Sequence, residues 1–174
     1  MGRGGMGQVS FGEIRFPLGR TRPCAIKSIQ PDRVDANTVA LFAREALIGW
    51  DVSGHPNIVS TRSFGTWDDG RLFIVLDREG PALDQEDEEL FGNYPRILRI
   101  AENILNALHH LQRRAVVHGD ISPANILLSE DGVAKLGDFG LARSIDDAGT
   151  SGETGGDGPS LSRGLVGVRC YAAA

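Results

Sequence analysis

The 174-residue chain lacks several features that would place it in a class at once. Its two cysteines, Cys24 and Cys170, lie at opposite ends without metal-ligand spacing, which excludes a disulfide-dense scaffold and a cysteine zinc site. Two idle thiols in a reducing compartment are expected, with a single bridge as the alternative. No long apolar run occurs. The aliphatic and aromatic stretch Leu72-Phe73-Ile74-Val75-Leu76 is far shorter than the roughly 18 residues that cross a bilayer, so no membrane segment is expected. The glycine-rich N-terminus has no apolar signal core, so nothing directs export and a cytoplasmic location is expected. A block rich in lysine and arginine is also absent, and the net charge is −5, so nucleic acid is not expected as a partner. What is present is a hydrophobic content of 41%, within the globular range, and enough chain for one domain or two small lobes.

Hydrophobic periodicity organises the remainder. Gln8–Ile14 and Pro23–Ile29 alternate apolar and polar residues, as half-buried strands do. From Ala36 to Val52 the period changes to three and four. Val39, Phe42, Ala46 and Trp50, or alternatively Leu41, Ala43 and Leu47 with Ile48, form the stripe of an amphipathic helix. Gly49 inside it costs about 1 kcal/mol relative to alanine, so a weak or early-ending helix is expected. Two more strands, Ile58–Gly65 and Arg71–Leu76, are separated by the Asp69-Gly70 turn signal. The acidic run Asp84–Glu89 reads as a solvated connector. Pro95 suits the first turn of a long helix through Arg113, with Ile97, Ile100, Ile104, Leu108 and Leu111 on one stripe. Short apolar segments at Ala115–Val117, Ile126–Leu128 and Ala134–Leu136 flank polar loops, and Ser144–Arg163 reads as a mobile loop. Trp50 and Trp67 are expected as core or edge aromatics, and His109 and His110 as surface or packing groups at a helix end.

Four polar sites follow one another along this frame. The first is Gly2-x-Gly4-x-x-Gly7-x-Val9, where glycines let backbone N–H groups approach phosphate oxygens; in a chain with 23 glycines, a plain turn explains it nearly as well. The second is Lys27 at a strand end with Glu45 on the following helix. A lysine aimed at phosphate needs an anion to hold its flexible stem, although an ordinary exposed lysine is the simpler reading of the pair alone. The third is His118-Gly119-Asp120-Ile121-Ser122-Pro123-Ala124-Asn125. Its aspartate can meet a hydroxyl while the asparagine amide oxygen takes a metal, the bland alternative being an Asp-capped turn. The fourth, Asp138-Phe139-Gly140, supplies a hard carboxylate, an apolar lock and a pivot, and taken alone means little.

In this order the four sites resemble the signature set of the protein kinases, and the chain is identified as a member of the bacterial eukaryote-like serine/threonine protein kinases. Supporting matches are His55-Pro56-Asn57-Ile58-Val59, Phe73-Ile74-Val75-Leu76-Asp77 and Asp138-Phe139-Gly140-Leu141-Ala142-Arg143. The resemblance implies an α+β, protein-kinase-like two-lobe fold. An antiparallel-sheet small lobe with one helix would span 1–76, its first strand truncated. A hinge would follow over 77–83, and an incomplete helical large lobe over 84–174, ending in the activation segment. It implies ATP and Mg2+ as cofactors and a protein substrate phosphorylated on serine or threonine. Gly2, Gly4 and Gly7 would cover the phosphates, and Val9, Ala25 and Leu127 would enclose adenine, with Leu76 behind it and backbone groups near Asp77 and Glu79 at its edge. Lys27, braced by Glu45, would bind the α/β-phosphates. Asp120 would receive the substrate hydroxyl proton, and Asn125 and Asp138 would hold Mg2+. Lys27, Asp120, Asn125 and Asp138 are thus expected to converge on one metal-bound triphosphate. Two other readings are an inactive pseudokinase or nucleotide-binding fragment and a small-molecule kinase of the aminoglycoside or choline type. His-Gly-Asp followed by Asn125 is similar to the latter, whereas Asp138–Arg143 and His55–Asn57 are not.

Three departures from the family pattern stand out. Ser122 occupies the place of the catalytic-loop lysine, a cation whose removal beside developing negative charge costs a few kcal/mol of barrier. Gly167–Ala173 resembles the run into the family's Ala-Pro-Glu motif, with Ala174 at the proline position, so large-lobe helices are expected to be missing. Ile97, Ile100, Ile104 and Leu108 would then lose cover at roughly 1.5–3 kcal/mol each, leaving a partly molten large lobe. Gly119 replaces the arginine that in the family grips an activation-segment phosphate, so Thr150, Ser151, Thr154, Ser160 or Ser162 would lack that partner when phosphorylated. Activity is accordingly expected not to depend on such a phosphate. Equal rates before and after phosphatase treatment are the expected outcome, and a large loss would contradict it.

Overall fold

The computed structural model describes residues 7–30, 34–86, 92–145 and 170–172, the last three by backbone alone. Gly2, Gly4, residues 146–163 of the long polar loop and the five candidate phosphorylation sites lie outside the described residues. The described chain divides into two compact units: 7–30, 34–50, 61–78 and 170–172 form the first, and 51–60, 79–86 and 92–145 the second.

The first unit is a five-stranded antiparallel sheet with one helix, the α+β arrangement expected. Its strands are β1 (Gly7–Arg15), β2 (Thr21–Ile29), β3 (Thr61–Thr66), β4 (Leu72–Asp77) and β9 (Cys170–Ala172), in spatial order β3-β4-β2-β1-β9. Strand parity sorts the side chains onto two faces. Ile14, Cys24, Ile26 and Val75 form one buried cluster, flanked by Trp67 and Phe73, whose ring centroids lie 4.5 Å apart. Ile29, Leu72 and Ile74 form the other, against Phe42 and Ala46 of helix α1 (Ala36–Asp51). Asp35 caps that helix, accepting from the Thr38 backbone N–H at 2.9 Å.

Of the two stripes possible for α1, the one through Val39, Phe42 and Ala46 faces the sheet, joined by Glu45 and Gly49. Trp50 is half exposed at the rim and meets Phe64 edge-on. The helix does not end early at Gly49. That residue is buried and the helix continues to Asp51, so tertiary packing outweighs the intrinsic penalty. The third strand also starts later than its apolar pattern indicated. Ile58 and Val59 leave the sheet, the Val59 N–H donating to the Leu136 carbonyl at 3.0 Å, and β3 begins at Thr61.

The second unit is built on α2 (Tyr94–Gln112). Asn93 caps it by accepting from the Arg96 N–H at 3.2 Å, and Pro95 sits in its first turn, where no N–H is needed. Ile100, Ile104, Ala107 and Leu111 are its buried stripe. Two small ribbons accompany it, β5 (Val116–Val117) with β8 (Arg143–Ser144) and β6 (Ile126–Leu128) with β7 (Ala134–Leu136). The expectation of an uncovered stripe needs correction. Ile100 and Ile104 are buried within the described chain and Leu108 is half-buried, so of the four only Ile97, nearer the start of the helix, is exposed as expected; Leu98 and Leu105, also exposed, lie on the adjoining face. A turn of 3.6 residues makes that difference, because Ile104 and Leu105 point about 100° apart.

Leu136 is fully buried at the centre of this unit, its N–H bonded to the Asn57 carbonyl at 2.9 Å. Leu136→Ala is expected to destabilise the protein by about 2–5 kcal/mol, measured as a lowered urea midpoint. A change below about 1 kcal/mol would show that the site collapses around the smaller side chain.

Candidate functional site

Each unit carries one constellation. In the first, Ala25, Lys27 and Ile29 share a face of β2 by parity, the face against which α1 packs. Glu45 therefore reaches Lys27, and the ammonium donates to its Oε1 at 2.6 Å with side-chain exposures of only 13% and 8%. Removing either partner would strand a buried charge, at a cost of about 3–5 kcal/mol. Val9 lies directly opposite Lys27, and Leu76 directly opposite Ala25, so all four project from one side of the sheet. Gly7 opens β1 close to this group. A Cβ there would stand 3.2 Å from the Ser28 carbonyl oxygen and 3.4 Å from the Lys27 stem.

Asp77 ends β4 on the opposite face and is buried. Its carboxylate receives Arg62 Nε at 2.7 Å and Arg22 Nη2 at 3.2 Å, with a further bond from Arg62 Nη2. That side chain is committed to holding three strands together, which leaves any edge recognition at this position to the backbone.

The second constellation is assembled around Gly137. Its N–H donates to the Asn125 carbonyl at 2.8 Å, and its own carbonyl accepts from His118 Nε2 at 2.9 Å. A carbonyl can only accept, so His118 carries its proton on Nε2. The other ring nitrogen, Nδ1, accepts from the Asp120 N–H at 3.3 Å. Asn125 turns its amide nitrogen to Asp120, donating to the backbone carbonyl at 3.0 Å and to Oδ2 at 2.9 Å. The amide oxygen is thereby directed away from Asp120. Asp138 follows Gly137 with φ of 55°, a left-handed conformation uncommon for a side-chain-bearing residue, and its Oδ1 accepts from the Gly140 N–H at 3.2 Å. Phe139 is buried edge-on against His118, ring centroids 5.0 Å apart.

The two departures inside this loop have local explanations. Gly119 adopts φ of +84°, and a Cβ there would lie 2.6 Å from the Leu141 carbonyl oxygen, so this backbone path rejects a side chain of any size. Ser122 is extended before the short turn Pro123–Asn125, its carbonyl accepting from the Asn125 N–H at 3.0 Å.

Glu79 and Leu127, expected near the adenine, also belong to the second unit. The Glu79 carboxylate is 5% exposed and receives Lys135 Nζ at 2.6 Å. Lys135 pairs across the ribbon with Leu127, which bridges to Ala82. The Gly80 N–H donates to the Leu128 carbonyl at 2.8 Å. Sequence reasoning missed these ties, together with the Gly137 junction and the Asn57 amide that donates to the Ala134 carbonyl at 3.1 Å. The apolar pattern carried no sign of them. The one available signal was the polar Asn57 and Lys135 inside otherwise apolar segments.

As a donor set, the Asn125 amide oxygen and the Asp138 carboxylate suit a hard cation. No cluster of three or more His, Cys, Asp or Glu suited to metal binding occurs among the described residues. A two-oxygen donor set of this kind suits an ion such as Mg2+, which takes one or two protein oxygens and fills its shell with water and phosphate. No helix among the described residues is long and apolar enough to cross a membrane.

Comparison with known proteins points one way. The sequence profile of the family described as "Protein kinase domain" matches residues 1–172. "Serine/threonine-protein kinase pkn3" of Myxococcus xanthus is 34% identical over 170 residues, covering 94% of this chain and 29% of that protein. "Serine/threonine-protein kinase PrkC" of Bacillus subtilis is 34% identical over 150 residues, covering 83% of this chain and 22% of that protein. "Serine/threonine-protein kinase Nek5" of Mus musculus is 35% identical over 153 residues, covering 82% and 23%. The chain thus spans less than a third of the length of these relatives.

His118 provides a test of the loop's construction. Burial holds its pKa below the ordinary 6.5, against the opposing pull of the Gly137 carbonyl and of Asp138 and Asp120. The unfolded chain therefore takes up this proton first, and stability falls as pH drops below about 6.5. His55 and His110, lowered mainly by burial as well, add to the same slope. Urea midpoints between about pH 7 and pH 5 should decline less steeply in His118→Gln than in the parent. An unchanged slope would show that His118 is not held neutral.

Proposed function

Because the chain belongs to the protein kinase domain family, we propose that it transfers the γ-phosphoryl group of ATP to serine or threonine hydroxyls of proteins. The single observation that supports this most directly is the Asp120–Asn125 pair tied to the one residue, Gly137, that precedes Asp138. In this reading residues 1–76 act as the small lobe, 77–83 as the hinge and 84–174 as the large-lobe portion.

The proposed roles follow from the chemistry of each side chain. Asp120 is an exposed carboxylate with one oxygen engaged by Asn125, which leaves it able to accept a hydrogen bond from a substrate hydroxyl and then its proton. Asn125 fixes the rotamer of that acceptor. Lys27, held by Glu45, presents a localised positive charge to the α/β-phosphates, and Gly7, with Gly2 and Gly4, lets the backbone close over them. Val9, Ala25, Leu76 and Leu127 supply the apolar walls for adenine, with backbone groups near Asp77 and Glu79 at its edge. Asn125 and Asp138 would hold Mg2+, which when bound neutralises charge on the phosphate oxygens. Little covalent chemistry is asked of the protein, so positioning and charge account for the whole set.

Asp120→Asn preserves shape and removes the proton acceptor. Transfer from labelled ATP to a protein substrate, or to the chain itself, should fall about 10²–10⁴-fold while nucleotide binding persists. Lys27→Met should instead weaken nucleotide binding. Parental transfer in Asp120→Asn would overturn the assignment, and phosphorylation of an amino alcohol in place of protein would move the chain to a different substrate class.

A further inference from the structure

The second unit holds a cavity of about 690 Å³ that shares no residue with the constellations described above. Its lining includes His55, Asn106, His109, His110, Arg113 and Arg114, and among the described residues that line it none is acidic. In a chain of net charge −5, this is a concentrated set of cationic and protonatable groups.

The set comes from two separate parts of the chain. His109, His110, Arg113 and Arg114 lie at the C-terminal end of α2, where basic groups complement the helix dipole. That preference does not account for His55, which the 51–60 segment brings against them. Its ring lies against that of His110, tilted by 41° with centroids 4.5 Å apart. Each imidazole is held as a neutral donor. His55 accepts the Asn57 N–H on Nδ1 at 3.2 Å, so its proton sits on Nε2. His110 donates Nε2–H to the Val52 carbonyl at 3.1 Å and accepts from Arg114 Nη1 at 3.2 Å. Burial and the charge of Arg114 lower the pKa of both rings. Groups that repel one another's charge in this way are reconciled by an anion placed among them.

We propose that this cavity is a binding site for a phosphate-bearing small anion, with Arg113 and Arg114 as charged clamps and His55, His109 and Asn106 as hydrogen-bond donors. Planar guanidiniums suit phosphate through paired N–H bonds. The cavity volume exceeds that of one phosphate group and lies in the range of small-ligand pockets, so a phosphomonoester with an organic body fits better than the bare ion. Pro56 and the imidazole faces offer that body an apolar wall. The site stands independently of the proposed phosphoryl transfer, because no residue in it takes part in that reaction.

The test is a titration of the imidazole C–H resonances of the full chain with inorganic phosphate and with O-phosphoserine at constant ionic strength. Saturable shifts of His55, His109 and His110 are expected at about millimolar ligand. They should weaken at least about fivefold in Arg114→Gln and more in Arg113→Gln/Arg114→Gln, and persist in Lys27→Met, whose phosphate contact lies elsewhere. Tighter binding of O-phosphoserine than of phosphate would identify the ester as the preferred form, and equal binding would identify the free ion. Linear, non-saturating shifts would overturn the proposal. So would shifts reproduced by potassium chloride, or unchanged binding in Arg114→Gln, a substitution at an exposed position that leaves the buried stripe of α2 intact.

Discussion

One residue organises the second constellation. Gly137 uses its N–H on the Asn125 carbonyl and its carbonyl on His118, so the two ends of the 118–125 loop are tied to the strand exit that carries Asp138. The packing around that residue is tight. A Cβ on Gly137 would press on Val59 Cγ2 at 3.2 Å. Because a carbonyl cannot donate, the arrangement dictates the tautomer of His118, while burial, outweighing the opposing pull of that carbonyl, favours its neutral form. Tertiary burial thus determines the protonation state, and the neutral ring keeps Nδ1 free to accept the Asp120 N–H.

The first constellation rests on a different constraint, the alternation of side chains along a strand. Lys27 faces α1 because it shares parity with Ala25 and Ile29, and Glu45 meets it because it lies on the helix stripe with Phe42, Ala46 and Gly49. Shifting β2 by one residue against its neighbours would exchange Lys27 for Ile26 and bury the wrong set. The buried ion pair is costly to assemble and costlier to break, so it secures orientation more than stability. Asp77 plays the corresponding part on the opposite face, where Arg22 and Arg62 converge on one carboxylate.

Strain and substitution coincide in the 118–140 region. Asp138 holds a left-handed φ of 55° at the turn where its carboxylate is proposed to meet a cation, the kind of local cost that surrounding structure must sustain. Gly119 meets a similar demand without strain. Its φ of +84° and the nearby Leu141 carbonyl make glycine the residue this path accepts, so the absent arginine is part of the local fold as well as a change in charge. The cationic cavity at the end of α2 includes neither Gly119 nor Asp138 in its lining and draws its groups from segments distant in sequence.

Much was legible from residue order alone. The positions of β1, β2, β4, α1 and α2 follow from period-two and period-3.6 patterns and from Asn93, Pro95 and the Asp69-Gly70 turn, because these signals act within a few residues of one another. The motif order likewise indicated the family, since each motif is a short contiguous segment. Tertiary structure alone decided the rest. Which stripe of α1 is buried, why Gly49 does not end that helix, why Ile58 and Val59 join Leu136 in place of the sheet, and which residue holds His118 to Asn125 all depend on partners about 12 to 78 residues away. Local propensity is a matter of tenths to one kcal/mol per residue. Burying a large side chain or satisfying a buried polar group is worth about one to three, so the distant partner prevails wherever the two disagree.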